Sequence, residues 1–324
     1  MQVRKAVITA AGRGTTQNPA ADTVPGAMLP VVDRDGWTKP VIQVIAEEAV
    51  ASGIEEICVI VAPIEEEVFR RAFHGVTPST AAKGPAEEQA RHVAEVGRRI
   101  QFVVQERPEG YGHSVWCARE FVGSDPFLLL VGDHLYVSGA PRRCARQVLD
   151  LAEQEDCSVA AVQATREHLI HRYGTVAGKR LAGRPNVFLI EDVVEKPTPS
   201  TAELRLQVPG LRVGHYLCFF GMHVLTPTIF RILDEHVRGD RRSHGRFELT
   251  PALQELARRE RYLAMQTNGR RYDIGVRHGL LEAQLALAMA GADRDKLLLR
   301  LTELLVQWQQ DASGQTGNGS DAAG

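Results

Sequence analysis

The chain has no long apolar segment. Across its 324 residues no uninterrupted hydrophobic run is long enough to span a bilayer. The first residues carry no apolar core of a secretion signal, so a cytoplasmic protein with no membrane partner is expected. Charge of neither sign dominates. Thirty-eight Lys and Arg oppose 40 Asp and Glu for a net charge of −2, which leaves no basic footprint for nucleic acid and no acidic tail. Cysteine is sparse: Cys58, Cys117, Cys144, Cys157 and Cys218 are scattered and form no Cys-x-x-Cys pair. That pattern argues against a disulfide or zinc framework and for reduced, mostly buried thiols. Internal repeats are absent. No Gly-Lys-Ser/Thr follows the first glycine loop, so the loop is not a P-loop. Gln17 stands where a dinucleotide fingerprint needs its third glycine, which argues against a dinucleotide-dependent oxidoreductase.

What is present is ordinary in bulk and informative in order. Hydrophobic residues make up 44% and charged residues 24%, enough for one large α/β unit. Short apolar runs at 6–8, 57–61, 100–104, 127–131, 158–162, 187–194 and 217–224 predict strands. Helical patterns between them include 41–52 and a polar, alanine-rich stretch at 81–99 that reads as a surface excursion. The alternation predicts an α/β fold with a doubly wound, mixed but mostly parallel sheet. After Gly279 the pattern becomes almost wholly helical, with leucines at 297, 298, 299, 301, 304 and 305. The expected organisation is a main domain over 1–278, C-terminal helices over 279–310 that suit an oligomer contact, and a disordered tail over 311–324.

Six short motifs fall at strand ends or in adjoining loops. The first, Ala10-Ala11-Gly12-Arg13-Gly14, follows a buried strand, and its glycines would let backbone N–H groups approach a phosphate or a base. It is followed by Pro25-Gly26-Ala27-Met28-Leu29-Pro30 and Lys39-Pro40. Next come Gln105 with Gly110-Tyr111-Gly112, Gly132-Asp133-His134, Arg172-Tyr173-Gly174 with Glu195-Lys196-Pro197, Phe220-Gly221 with Phe247-Glu248, and Tyr272-Asp273-Ile274-Gly275. Each piece alone reads as a turn, a cap or a solvated strand end. Their order carries the information.

In that order, over roughly residues 3–290, the chain resembles the sugar-1-phosphate nucleotidylyltransferases, and among them the bacterial uridylyltransferases that make UDP-glucose. The resemblance implies a Rossmann-like nucleotidyltransferase fold, Mg²⁺ as cofactor, and UTP and glucose 1-phosphate (or UDP-glucose) as partners. By position it implies that Ala10, Ala11, Gly12, Gly14, Gln105, Gly110 and Gly112 bind the nucleotide. Gly174, Glu195, Lys196, Gly221 and Glu248 would bind the sugar phosphate, Asp133 and Asp273 the metal, and Asp133, Lys196, Asp273 and Arg13 would serve catalysis. Departures from the pattern lie on the triphosphate side. Thr16, Gly26 and Asp22 occupy slots that are basic in the family, and 34–38 is an insertion. Arg13, Arg34 and Lys39 are the candidate replacements. A catalytically impaired nucleotide-sugar-binding homologue is the alternative that these departures raise.

Overall fold

In the computed structural model, residues 1–12, 23–75 and 84–317 are described, with side chains as far as 310. The first apolar run forms β1 (Lys5–Thr9), and a short antiparallel pair, β2 (Pro30–Val32) and β3 (Thr38–Pro40), leads into α1 (Val41–Val50). Next come β4 (Glu56–Val61), α2 (Glu66–His74), α3 (Pro85–Gly97) and β5 (Ile100–Val104). Helices α4 (Tyr111–Cys117) and α5 (Arg119–Val122) precede β6 (Phe127–Val131) and β7 (His134–Ser138). The second half holds α6 (Cys144–Glu155), β8 (Ser158–Arg166), β9 (Thr175–Leu181), β10 (Arg184–Val194), α7 (Pro199–Arg205) and β11 (His215–Leu225). It closes with α8 (Thr228–Arg238), α9 (Leu249–Arg259), β12 (Tyr262–Gln266), β13 (Gly269–Asp273), α10 (Gly279–Met289) and α11 (Arg294–Gly317).

Every predicted strand is present, and all seven belong to one nine-stranded sheet in the order β5-β4-β1-β6-β11-β8-β12-β10-β9. From the pairings, β10 and β11 run against the other strands, so the sheet is mixed but mostly parallel. Strand alternation explains why both faces are covered. Ile8, Leu128 and Leu130 point into one apolar cluster with α1 and α6. Val7, Phe127 and Leu129 point into another with α4, α8 and α9. Each of these side chains is fully buried and stabilises by roughly 1.5–3 kcal/mol.

Two features place the functional edge. Met222 pairs with Leu130, so residues 215–221 run past the end of β6, and Cys218 pairs there with Thr175 at the start of β9. The overrunning strands thus bring the loops around β9 and β10 to the carboxyl ends of β1 and β6. The second feature is a two-stranded ribbon of β7 and β13, in which His134 lies opposite Asp273.

The C-terminal region differs from expectation in extent. The helix continues to Gly317, past the predicted onset of a disordered tail at 311, and 318–324 lie outside the described residues. Helix α10 packs on β13, β7 and β2.

Candidate active site

Asp133 sits in the turn between β6 and β7, and Asp273 is the last residue of β13. Their approach is fixed by backbone: the Ile274 amide donates to the Asp133 carbonyl at 2.9 Å, and the Gly275 amide donates to Asp273 Oδ1 at 2.9 Å. A Cβ on Gly275 would stand 3.1 Å from Asp133 Oδ2 and 3.2 Å from Asp273 Oδ1, so this glycine leaves the space between the carboxylates open. Donor atoms of Asp133, His134 and Asp273 all lie within 4.8 Å of one another. His134 Nδ1 and Asp133 Oδ1 share a hydrogen bond of 2.7 Å, while Nε2 is buried without a partner, 3.9 Å from Asp273 Oδ2. Two converging carboxylates and an orphaned ring nitrogen fit a divalent cation; the carboxylates are its natural hard ligands, and the imidazole orients one of them. Burial alone would raise the Asp133 carboxyl. The adjacent His134, with Arg271 behind it, instead holds it below the usual carboxylate range.

Facing the carboxylates is a group of side chains from three loops. Glu195 and Lys196 follow directly after β10, and the Thr250 hydroxyl donates to Glu195 Oε2. Lys196 Nζ lies 3.5 Å from Glu195 Oε1, and its backbone is left-handed at φ 44°, a conformation costing about 1–3 kcal/mol that commonly marks a functional position. The Lys196 amide holds the Tyr173 carbonyl at 3.2 Å, and the Gly174 carbonyl accepts from Phe219. Glu248 lies close enough to Glu195 that burial, reinforced by that second carboxylate, raises its carboxyl. The Gly221 carbonyl accepts from the Tyr136 hydroxyl at 2.8 Å. Gly174, Glu195, Lys196 and Glu248 thus lie in one group through Thr250 and these contacts, while Gly221 stands beside His134.

On the opposite side Ala10 is buried, its amide held by Ile60, and Gly12 is exposed with open space where a Cβ would stand. Arg13, Gly14, Thr16 and Asp22 lie outside the described residues. Gln105 Nε2 is committed to His113 Nδ1 at 2.9 Å and the Gly110 carbonyl at 3.3 Å, so the amide cannot offer a base both donor and acceptor. At Gly110 and Gly112 the chain packs closely on itself, since a Cβ on either would lie 2.7–2.8 Å from backbone oxygens of Phe247 or Glu248.

Two of the candidate replacement cations are occupied elsewhere. Lys39 is buried and its Nζ is bonded by Asp35 at 2.6 Å, Glu47 at 2.8 Å and Asp33 at 2.9 Å. Burial would lower the ammonium's pKa, and those carboxylates raise it instead. The Arg34 guanidinium lies 3.8 Å from Asp33 Oδ1, and its carbonyl accepts from Ala292 beside the α10–α11 turn, so the insertion serves the C-terminal helices.

Over residues 5–289 the sequence matches the family described as Nucleotidyl transferase. The chain belongs to that family. It is 34% identical over 309 residues to the UTP–glucose-1-phosphate uridylyltransferase of Bacillus subtilis, covering 94% of this chain and 98% of that one. A Staphylococcus saprophyticus enzyme of the same name is 32% identical over 292 residues, with 89% and 93% covered. Among solved structures, a UDP-glucose pyrophosphorylase complexed with UDP-glucose superposes with TM-score 0.72 at 28% identity, over 88% of this chain and 98% of that one. The pyrophosphorylase from Acinetobacter baumannii gives 0.73 at 26%, over 93% and 100%.

Within this nucleotidyl transferase fold, three residues near the carboxylates escaped the sequence reading. His134 was visible only as the neighbour of Asp133. Arg271 stacks its guanidinium 3.8 Å above the Tyr173 ring and donates to the Phe219 carbonyl. Tyr111 carries a buried hydroxyl without a partner, and after burial itself the negative charge of Asp133 contributes most to raising its pKa. No sequence periodicity marks any of the three, because the β7–β13 ribbon places His134 and Arg271 and the first turn of α4 places Tyr111.

Proposed function

We propose that this nucleotidyl transferase converts UTP and glucose 1-phosphate into UDP-glucose and pyrophosphate. The observation that carries this is the convergence of Asp133 and Asp273 opposite Glu195, Lys196 and Glu248. A phosphate oxygen of glucose 1-phosphate bonds the α-phosphorus of UTP as its bond to the β-bridging oxygen breaks. Pyrophosphate leaves with the electron pair, and no side-chain nucleophile or proton transfer is required. Asp133 and Asp273 would hold Mg²⁺, whose charge, when bound, offsets that on the phosphate oxygens. Lys196 places a compact cation against the sugar phosphate, and Glu195 and Glu248 accept from sugar hydroxyls. The amides of Ala11 and Gly12 would meet the nucleotide phosphates; Arg13 and Gly14, given the same role by the resemblance, lie outside the described residues.

Gln105 acts here as an acceptor. With both Nε2 hydrogens directed at His113 and Gly110, Oε1 faces the base and takes the N3–H of uracil, which cytosine lacks. The reducing cytoplasm suits the five unpaired thiols, and among the described residues no helix is long and apolar enough to cross a membrane. The exposed leucines of α11 support a homo-oligomer.

The test is pyrophosphate release with Mg²⁺, glucose 1-phosphate and each of UTP, dTTP, CTP, GTP and ATP. Release with UTP, falling about 10²–10³-fold or more in Asp133→Ala, is the expected result. Silence with all five in protein that still binds UDP-glucose would make it the impaired homologue raised by Thr16, Gly26 and Asp22.

A further inference from the structure

Behind the catalytic ribbon lies a cavity of about 630 Å³ between the ends of β8 and β12 and the outer side of β13. Four arginines line it, Arg172, Arg270, Arg271 and Arg277, against two carboxylates, Asp273 and Glu282. Among the described residues Arg172, Arg270 and Arg277 have neither an ion pair nor a hydrogen bond. Arginines elsewhere on this surface commonly find a carboxylate: Arg205 with Asp192, Arg259 with Glu235, Arg146 with Asp150. The three arginines are exposed, so solvent screens much of their mutual repulsion, and a bound anion offsets the positive field that remains. A second observation points the same way. Thr267, which lines the cavity, carries a buried hydroxyl with no hydrogen-bond partner.

We propose that this cavity is a second ligand site, which binds a phosphate-bearing small molecule. Guanidinium forks match phosphate oxygens in pairs, and Thr267 supplies a neutral donor of a kind that also suits a sugar hydroxyl. The volume lies in the range of small-molecule pockets and exceeds what a bare phosphate ion needs, so a phosphorylated sugar-sized metabolite is the natural occupant. The site adjoins the substrate cleft and shares Tyr173, Arg271 and Asp273 with it, while Glu195, Lys196 and Glu248 do not line it. Arg271, stacked on Tyr173 and bonded to the Phe219 carbonyl, stands at the boundary. Because Asp273 lines the same cavity, an anion here shifts the field at the catalytic carboxylates.

The experiment is calorimetric titration of the full chain with inorganic phosphate and then glucose 6-phosphate, each with and without saturating UDP-glucose. Binding of either that persists in UDP-glucose and weakens at least about tenfold in Arg172→Gln/Arg277→Gln is the expected result. Tighter binding of glucose 6-phosphate identifies a phosphorylated metabolite as the ligand; tighter binding of phosphate identifies the inorganic ion. The double variant keeps its affinity for UDP-glucose within about twofold, since neither arginine side chain bonds Glu195, Lys196 or Glu248. Absence of binding at millimolar concentration, displacement by UDP-glucose, or an unchanged affinity in the double variant overturns the proposal. None of these outcomes depends on turnover, so the site and the proposed reaction fail or stand separately.

Discussion

His134 occupies the position where the two carboxylates that could hold a metal, Asp133 and Asp273, can be tuned separately. Its hydrogen bond fixes the orientation of Asp133 but not that of Asp273. Substituting His134→Ala should raise the Mg²⁺ concentration for half-maximal pyrophosphate release about 10–100-fold, with a smaller change in rate at saturating metal. A metal titration of activity checks this. His223 has the opposite character: buried, with Nδ1 2.9 Å from the Tyr262 hydroxyl, its imidazole is pushed by burial down to about 3. The unfolded chain therefore binds the extra proton between about pH 6.5 and 3, and the native state does not. Stability contributed by this residue is intact above pH 6.5 and declines by up to about 1.4 kcal/mol per pH unit below it. Urea denaturation at pH 7, 5.5 and 4.5 should show a shallower decline in His223→Leu than in the parent, on top of a constant loss of about 1–3 kcal/mol from the orphaned tyrosine. At this scale the two aspartates were legible as residues that converge, whereas a glycine such as Gly110 or Gly112 records only that something comes close, which here includes the Phe247–Glu248 backbone.

Strands were the most legible elements, since 6–8, 127–131 and 217–224 are apolar on both faces and a two-sided buried strand needs no partner to be recognised. The short strands β2, β3, β7 and β13 were not legible. Their residues alternate weakly, and they pair as ribbons outside the main sheet. That loss mattered, because the β7–β13 ribbon joins Asp133 to Asp273 and forms one wall of the arginine cavity. The β2–β3 hairpin has its own energetic centre in Lys39, surrounded by Asp33, Asp35 and Glu47, with Gln43 and His92 also against Glu47. Removing the ammonium in Lys39→Met should cost about 3–5 kcal/mol at pH 7, because buried carboxylates are left uncompensated. The loss should shrink as the pH falls and those carboxylates take up protons. Chemical denaturation at pH 7 and pH 5 measures both effects.

At the scale of the whole molecule, the C-terminal helices combine two uneven surfaces. One side of α10 is buried against β13 and β2, while Leu281 on α10 and Leu299, Leu305 and Trp308 on α11 are each more than half exposed. If this face joins subunits, Leu299→Asp/Leu305→Asp should lower the mass by light scattering to that of one chain, 35.6 kDa, with little change in secondary structure. The inner side carries a different connection. Gln284 on α10 grips Val32 from both directions, donating to its carbonyl at 2.9 Å and accepting from its amide at 2.9 Å, and the Ala292 amide holds the Arg34 carbonyl. The extended edge of β2 is thereby continued by a side chain more than 250 residues away in sequence. Chimeras made with relatives will feel this link. A crossover placed between α9 and α10, where the chain looks divisible, would pair a foreign helix with the native hairpin and leave the Val32 backbone without its clasp. Exchanging residues 30–40 together with 279–300 would carry the matched pair intact, so the two ends of this chain behave as one heritable module.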